Sequence, residues 1–229
     1  MDAWIAAMGS RGDYTREHVL DAPMMARVCG RGFGFALDVG CGEGRFCRMM
    51  QDCGIRTVGI DPTAALIGHA RSLDPDGDYR IGRAEALEFP DESFDLVVSY
   101  LSLVDIPDAE TAIAEMARVL RHGGALLIAN LNSFNTAVVD GGWQRSADGE
   151  IRYCIDHYLA ERSEWLAWRG IRILNWHRPL SRYMSLLLAQ GMILRHFDEP
   201  PPLGGDPEKA ARYRRIPYAL LMEWEKPGS

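Results

Sequence analysis

The chain predicts an α/β fold built on a parallel sheet, and three observations carry that prediction. The apolar run Leu37-Asp38-Val39 leads into a glycine turn, Gly40-Cys41-Gly42-Glu43-Gly44, that opens a helix. About twenty residues on, Val58-Gly59-Ile60-Asp61 forms a second apolar strand ending in a carboxylate, where a βαβ nucleotide site places its ribose-binding acid. Beyond it, apolar strands and helical patterns alternate, which implies parallel strands joined by right-handed crossovers.

The elements follow in order. Apolar residues at near-helical spacing between Asp13 and Gly30 predict a leading helix or helix pair. Strand one is Phe35 to Val39, and the next helix runs from Arg45 to Cys53, ended by Gly54. Strand two is Ile55 to Asp61, with Thr63 as cap of a helix from Ala64 to Ser72. A third strand lies near Tyr79 to Arg83, and a fourth at Phe94 to Tyr100. Asp108 caps a helix from Ala109 to Leu120, His122-Gly123-Gly124 stops it, and Ala125 to Leu131 is a fifth strand. Regularity then breaks between Asn132 and Pro179, a stretch holding four of the six tryptophans. Helix returns at Ser181 to Gln190, followed by strands at Met192 to Phe197 and Tyr218 to Trp224. The proline-rich Glu199 to Gly205 between them reads as a surface loop.

Composition narrows the function. At 229 residues one domain over 1–229 is expected, with 132–180 as a substrate-side insertion or lid. A net charge of −7 offers no general attraction to phosphate backbones, and the basic cluster of Lys209, Arg212, Arg214 and Arg215 is short, so no nucleic-acid partner is expected. No apolar run approaches the ~20 residues of a membrane span, and Met1 is not followed by a basic-then-apolar leader, so a cytoplasmic protein is expected. Five cysteines without C-x-x-C pairing argue against a disulfide framework or a zinc site; no metal is expected, and Cys41, Cys47 and Cys53, six apart, read as buried free thiols.

Glycine spacing selects the ligand. A dinucleotide fingerprint is G-x-G-x-x-G with pyrophosphate on the helix N-terminus, whereas this chain has G-x-G-x-G with Asp38 two residues before it and Glu43 inside it. Acids there repel pyrophosphate and suit an adenosine ligand whose far end is cationic. These residues resemble the class I S-adenosylmethionine-dependent methyltransferases, and within them the small-molecule group typified by ubiquinone and menaquinone biosynthesis enzymes. The resemblance implies a Rossmann-like, seven-stranded, mostly parallel sheet with helices on both faces, the last strand antiparallel and the insertion after strand five. It also implies S-adenosylmethionine as cofactor, S-adenosylhomocysteine as product and a small-molecule substrate.

Site residues follow from both sources. Asp61 is expected to accept hydrogen bonds from both ribose hydroxyls. Gly40, Cys41, Gly42 and Gly44 bring backbone close to the ligand, and Asp38 meets the methionine amino group or braces the turn. The family's acid on adenine falls where this chain has Arg83, which shifts the adenine contact to the Ala84 backbone and Glu85, with Pro62 and Leu87 on the ring faces. Ser99, Tyr100 and Leu101 match the segment that contacts the methionine moiety, and Tyr14 or Arg16 is placed to meet its carboxylate.

Methyl transfer needs in-line positioning and desolvation, with a general base optional. Base candidates are His157, His177 in a His-Arg-Pro-Leu-Ser stretch that some of these methyltransferases share, and Tyr183 on the helix after it. The tryptophans suit an apolar substrate, a small core of the insertion or a homodimer interface. Two rival functions stand beside this one: a non-catalytic S-adenosylmethionine-binding sensor or partner protein, and a nicotinamide-dependent oxidoreductase.

Overall fold

The computed structural model describes residues 4–5, 8–9, 11–168 and 170–228, so Met1 and Ser229, the ends of the expected domain, lie outside it. Seven strands form the main sheet: β1 (Phe35–Val39), β2 (Arg56–Asp61), β3 (Asp78–Ile81), β4 (Phe94–Tyr100), β5 (Leu120–Leu131), β10 (Ile193–Asp198) and β11 (Ala219–Glu225). Their order is β3-β2-β1-β4-β5-β11-β10, with β11 antiparallel to both of its neighbours and β1 to β5 parallel. This is the expected architecture, last strand antiparallel. The chain reverses direction across the sheet at β1, between β2 and β4, and open α/β sheets bind ligands at the carboxyl ends of strands at such a point.

Alternation along each strand sends side chains to two apolar layers. Leu37, Val39, Val97 and Ile128 pack on one face with Ile113 and Met116 of the helix Ala109–Val119 and Leu187 of the helix Leu180–Ala189. Ala36, Leu96, Val98 and Leu127 pack on the other with Phe46 and Met50 of the helix Arg45–Asp52 and with Val19, Leu20 and Met24 of the leading segment. That segment is a π-helical turn, Arg16–Leu20, continuing into a short α-helix, Asp21–Ala26. Burial on both faces explains why the central strands read as unbroken apolar runs.

Several local expectations are corrected. The helix after β4 stops at Val119, and β5 begins at Leu120, so His122-Gly123-Gly124 lies inside the strand beside an irregularity in its pairing. Thr63 stands at the cap position, but its side chain makes no capping bond. The insertion is a short helix, Ser133–Thr136, and two hairpins: β6 (Val138–Arg145) with β7 (Ile151–Ile155), and β8 (Arg162–Trp168) with β9 (Ile171–His177). The helix Pro207–Arg215 was not expected. Asp206 caps it by accepting from the Lys209 amide at 2.7 Å, and proline stands at its first position.

The thiol expectation holds for Cys41 and Cys47, which are buried and free, and fails for Cys53, which is bonded to Cys29. Cys53 has left the helix it follows, so helical spacing no longer governs it, and its Cα lies 5.6 Å from that of Cys29. The crosslink closes a loop, 24 residues apart in sequence, that contains β1 and the glycine turn. Reducing it is expected to lower stability by roughly 2–3 kcal/mol through unfolded-state entropy. Thermal melts with and without reductant, beside a Cys29→Ser variant indifferent to reductant, check this.

Candidate functional site

A cavity of about 610 Å³ opens at the carboxyl ends of β1, β2 and β4. Its walls include the turn residues Gly40, Cys41, Gly42 and Glu43, then Asp38, Asp61, Pro62, Gly82 to Glu85, and Tyr100 to Ser102. The turn is set by the strand beside it. Gly40 and Cys41 both donate their amides to the Ile60 carbonyl, at 2.8 and 2.9 Å. Asp61 reaches back to accept from the Gly42 amide at 3.1 Å and the Thr63 amide at 2.8 Å. Its carboxylate therefore locks the turn to β2 while bordering the cavity, 8% exposed.

The three glycines serve different ends. Gly40 and Gly44 hold positive φ, 81° and 76°, and a Cβ there would meet Ser102 Cβ and Tyr79 Cε1, each at 2.4 Å. These two are required by the protein's own packing, and Gly44 is not on the cavity wall. At Gly42, φ 58°, a Cβ would find open space on that wall. Gly42 alone keeps room for a ligand.

Asp38 is the unusual group. It is 1% exposed, takes a weak donor bond from the Cys47 thiol at 3.5 Å on Oδ2, and leaves Oδ1 buried without a hydrogen-bond partner among the described residues. Burial pushes its pKa up to about 7, the Cys47 bond opposing the rise while Asp61 and Glu43 add to it. An orphaned buried carboxyl oxygen is costly, and a cation brought into the cavity would relieve it.

A methyltransferase-domain family model matches residues 37–128, the segment from β1 into β5. A malonyl-[acyl-carrier protein] O-methyltransferase of Salmonella typhimurium is 30% identical over 174 residues, covering 76% of this chain and 68% of that protein. The chain belongs to the S-adenosylmethionine-dependent methyltransferase family. The same-named protein of Serratia marcescens is 31% identical over 61% of this chain and 56% of its own length. The chain spans about half the length of the curated relatives it matches first. Among solved structures, an S-adenosylmethionine-dependent methyltransferase of Mesorhizobium loti superposes with a TM-score of 0.80 at 26% identity, over 95% of this chain and all of that one.

The family's cofactor carries a cationic amino group and a sulfonium, and the unpaired Asp38 oxygen among acids Asp61, Glu43 and Glu85 fits that charge. On the expected adenine side, Pro62, Ala84 and Glu85 border the cavity, Arg83 turns to Glu85 at 3.2 Å, and Leu87 is in the core. Arg16 also borders it, held by Asp13 at 3.1 Å. Tyr14 does not: its hydroxyl donates to the Gly204 carbonyl at 3.0 Å. Ser99 is fully buried against Ser102, at 2.7 Å, and is not on the wall. Tyr100 is on it, with its hydroxyl donating to Asp21 at 2.8 Å.

None of the three base candidates reaches the cavity. His177 is 3% exposed, with Nδ1 2.7 Å from Thr136 Oγ1 and Nε2 2.8 Å from the Tyr158 carbonyl, so both ring nitrogens are spent on structure. Burial lowers its pKa, which suits a neutral brace. His157 sits on the surface at φ 50°, with Nε2 3.6 Å from Asp156 Oδ2. Tyr183 is packed into the core layer. Beside His177, Arg178 donates to the carbonyls of Ile106 at 2.8 Å and Pro107 at 2.6 Å. The His-Arg-Pro stretch therefore pins the loop after β4, and that loop, with β9, supplies wall residues the sequence did not single out: Asp105, Ile106 and Ile171 to Leu174.

Proposed function

We propose that the protein moves the methyl group of S-adenosylmethionine to a small-molecule acceptor by in-line displacement. The observation that carries this is the buried, unpartnered Asp38 oxygen in the wall of a cavity whose turn carries acids where a pyrophosphate would sit. Asp38 would hold the amino group, Asp61 the ribose hydroxyls, Arg16 the carboxylate, and Pro62, Ala84 and Glu85 the adenine. When bound, the cofactor supplies an electrophilic methyl group on a positively charged sulfur. The chain's part is to hold the acceptor in line and exclude water. A cytoplasmic location, and a homodimer contact through the exposed Trp165 and Trp168 of β8, belong to the same reading.

Calorimetry with S-adenosylmethionine and with NAD tests it. Binding of the first and not the second is expected, and an NAD-only signal sinks it. Tight cofactor binding with no methyl release in any metabolite pool would favour the sensor reading. Asp61→Ala is expected to weaken cofactor binding by about 1.5–3 kcal/mol, the loss of charge-assisted hydrogen bonds. Unchanged affinity in the same calorimetric titration would remove Asp61 from the ribose role.

A further inference from the structure

One wall of the cavity lies apart from the residues assigned above to the cofactor. Leu101, at φ 55°, turns the chain out of β4, and the loop that follows is stitched to β9 by the Trp176 amide donating to the Val104 carbonyl at 2.7 Å. Asp105 sits in this wall beside the apolar Ile106, Pro107, Ile171 and Ile173. The Asn175 side-chain amide donates to its Oδ1, while no partner among the described residues takes Oδ2. Among the described residues no cation forms a salt bridge with it, and Arg16 acts on it only through its field. Arg178 is spent on loop carbonyls, and Arg172 lies over the Trp165 ring at 4.0 Å.

We propose that Asp105 is the proton acceptor of the reaction, its Oδ2 receiving the proton of a weakly acidic acceptor hydroxyl while Asn175 holds Oδ1. The inference rests on the methyl-transfer reading above. The acceptor's O–H bond breaks with the proton passing to Oδ2, and a bond forms from the acceptor's oxygen to the methyl carbon. The carbon–sulfur bond breaks with its electron pair staying on sulfur, so sulfonium and carboxylate are neutralised together. Burial pushes the Asp105 pKa up to about 7, opposed by the Asn175 bond and by Arg16 of the π-helical turn, and assisted by Asp61 of β2. A base of that strength is matched to phenols and enols, whose acidity near that of tyrosine lies within its reach. A tie between loop and β9 would need only the Asn175 bond, which an amide at position 105 can also accept.

The test uses the whole chain and does not depend on turnover alone. With carboxyl-13C aspartate, the resonance that disappears in Asp105→Asn is expected to titrate near 7 in the cofactor-free protein. In Asn175→Ala it is expected to titrate at higher pH, because the carboxylate has lost a donor. Transfer from S-adenosylmethionine to a panel of substituted phenols and enolic diketones should rise with pH through the same midpoint. Asp105→Asn should lower kcat about 100-fold or more while cofactor Kd stays within about twofold, and Asn175→Ala should move the pH limb with the resonance. Titration below about 5, a wild-type rate and profile in Asp105→Asn, loss of cofactor affinity in that variant, or no transfer to any panel member would each overturn the proposal. Failure of the wild-type protein to bind S-adenosylmethionine would instead sink the methyl-transfer reading itself.

Discussion

Gly40→Ala is expected to destabilise the protein by roughly 3–5 kcal/mol, whether or not cofactor is present. Two costs add. Alanine at φ 81° enters the left-handed region, and its Cβ meets Ser102 Cβ at 2.4 Å. Ser102 cannot yield, because its hydroxyl donates to the Val39 carbonyl at 2.6 Å and lies 2.7 Å from Ser99 Oγ. Gly44→Ala should behave alike, since Tyr79 is 2% exposed and fixed by its hydroxyl to Asp74 at 2.8 Å. Gly42→Ala is the contrast: open space surrounds its Cβ, so about 1 kcal/mol of backbone strain is expected with a larger loss of cofactor affinity. Urea melts of the three variants, paired with cofactor calorimetry, check the pattern. Equal destabilisation at 40 and 42 would contradict it.

Cofactor binding is expected to release protons near neutral pH, and Asp38 is the source. Its carboxyl, raised to about 7 by burial, is partly protonated at pH 7, and an amino cation at Oδ1 would pull the pKa down. Calorimetry in buffers of different ionisation enthalpy should show release near pH 6.5–7 that fades above pH 8 and is diminished in Asp38→Asn. Asp38→Ala should weaken binding about 100-fold, the scale of a desolvated charge-assisted bond. Stability of the cofactor-free protein carries the opposite sign from the usual carboxylate. The folded pKa lies above the unfolded value of 3.8, so the folded state holds the proton more tightly. The contribution is fully present below 3.8 and is lost as pH rises to about 7. Asp38→Asn should therefore raise the melting temperature of the cofactor-free protein more at pH 8 than at pH 5; an equal rise at both would place the charge elsewhere.

The frame was legible because its signals are local. Phe35–Val39 and Phe94–Tyr100 are apolar runs long enough for a strand and bounded by turns, and the structure gives them the expected bounds. Asp108 was legible as a cap for the same reason, accepting from the Thr111 amide at 3.0 Å within one helical turn. The helix Pro207–Arg215 was also written locally, in Asp206-Pro207-Glu208, but its charged sequence masks the apolar stripe that announces a helix. His177, in contrast, looked like a base because imidazole is a common one. Its two partners, 41 and 19 residues away, are invisible in the sequence and consume both nitrogens.

By itself the sequence determined the sheet and its order of strands and helices, because turns, caps and strand ends are made by residues close together in the chain. Tertiary structure alone decided which side chains face the cavity. It placed Asp105 against Asn175, 70 residues away, left one oxygen of Asp38 without a partner among the described residues, and brought Cys29 to Cys53. Burial and pairing are properties of an environment assembled from distant segments, and no local pattern in the chain encodes them.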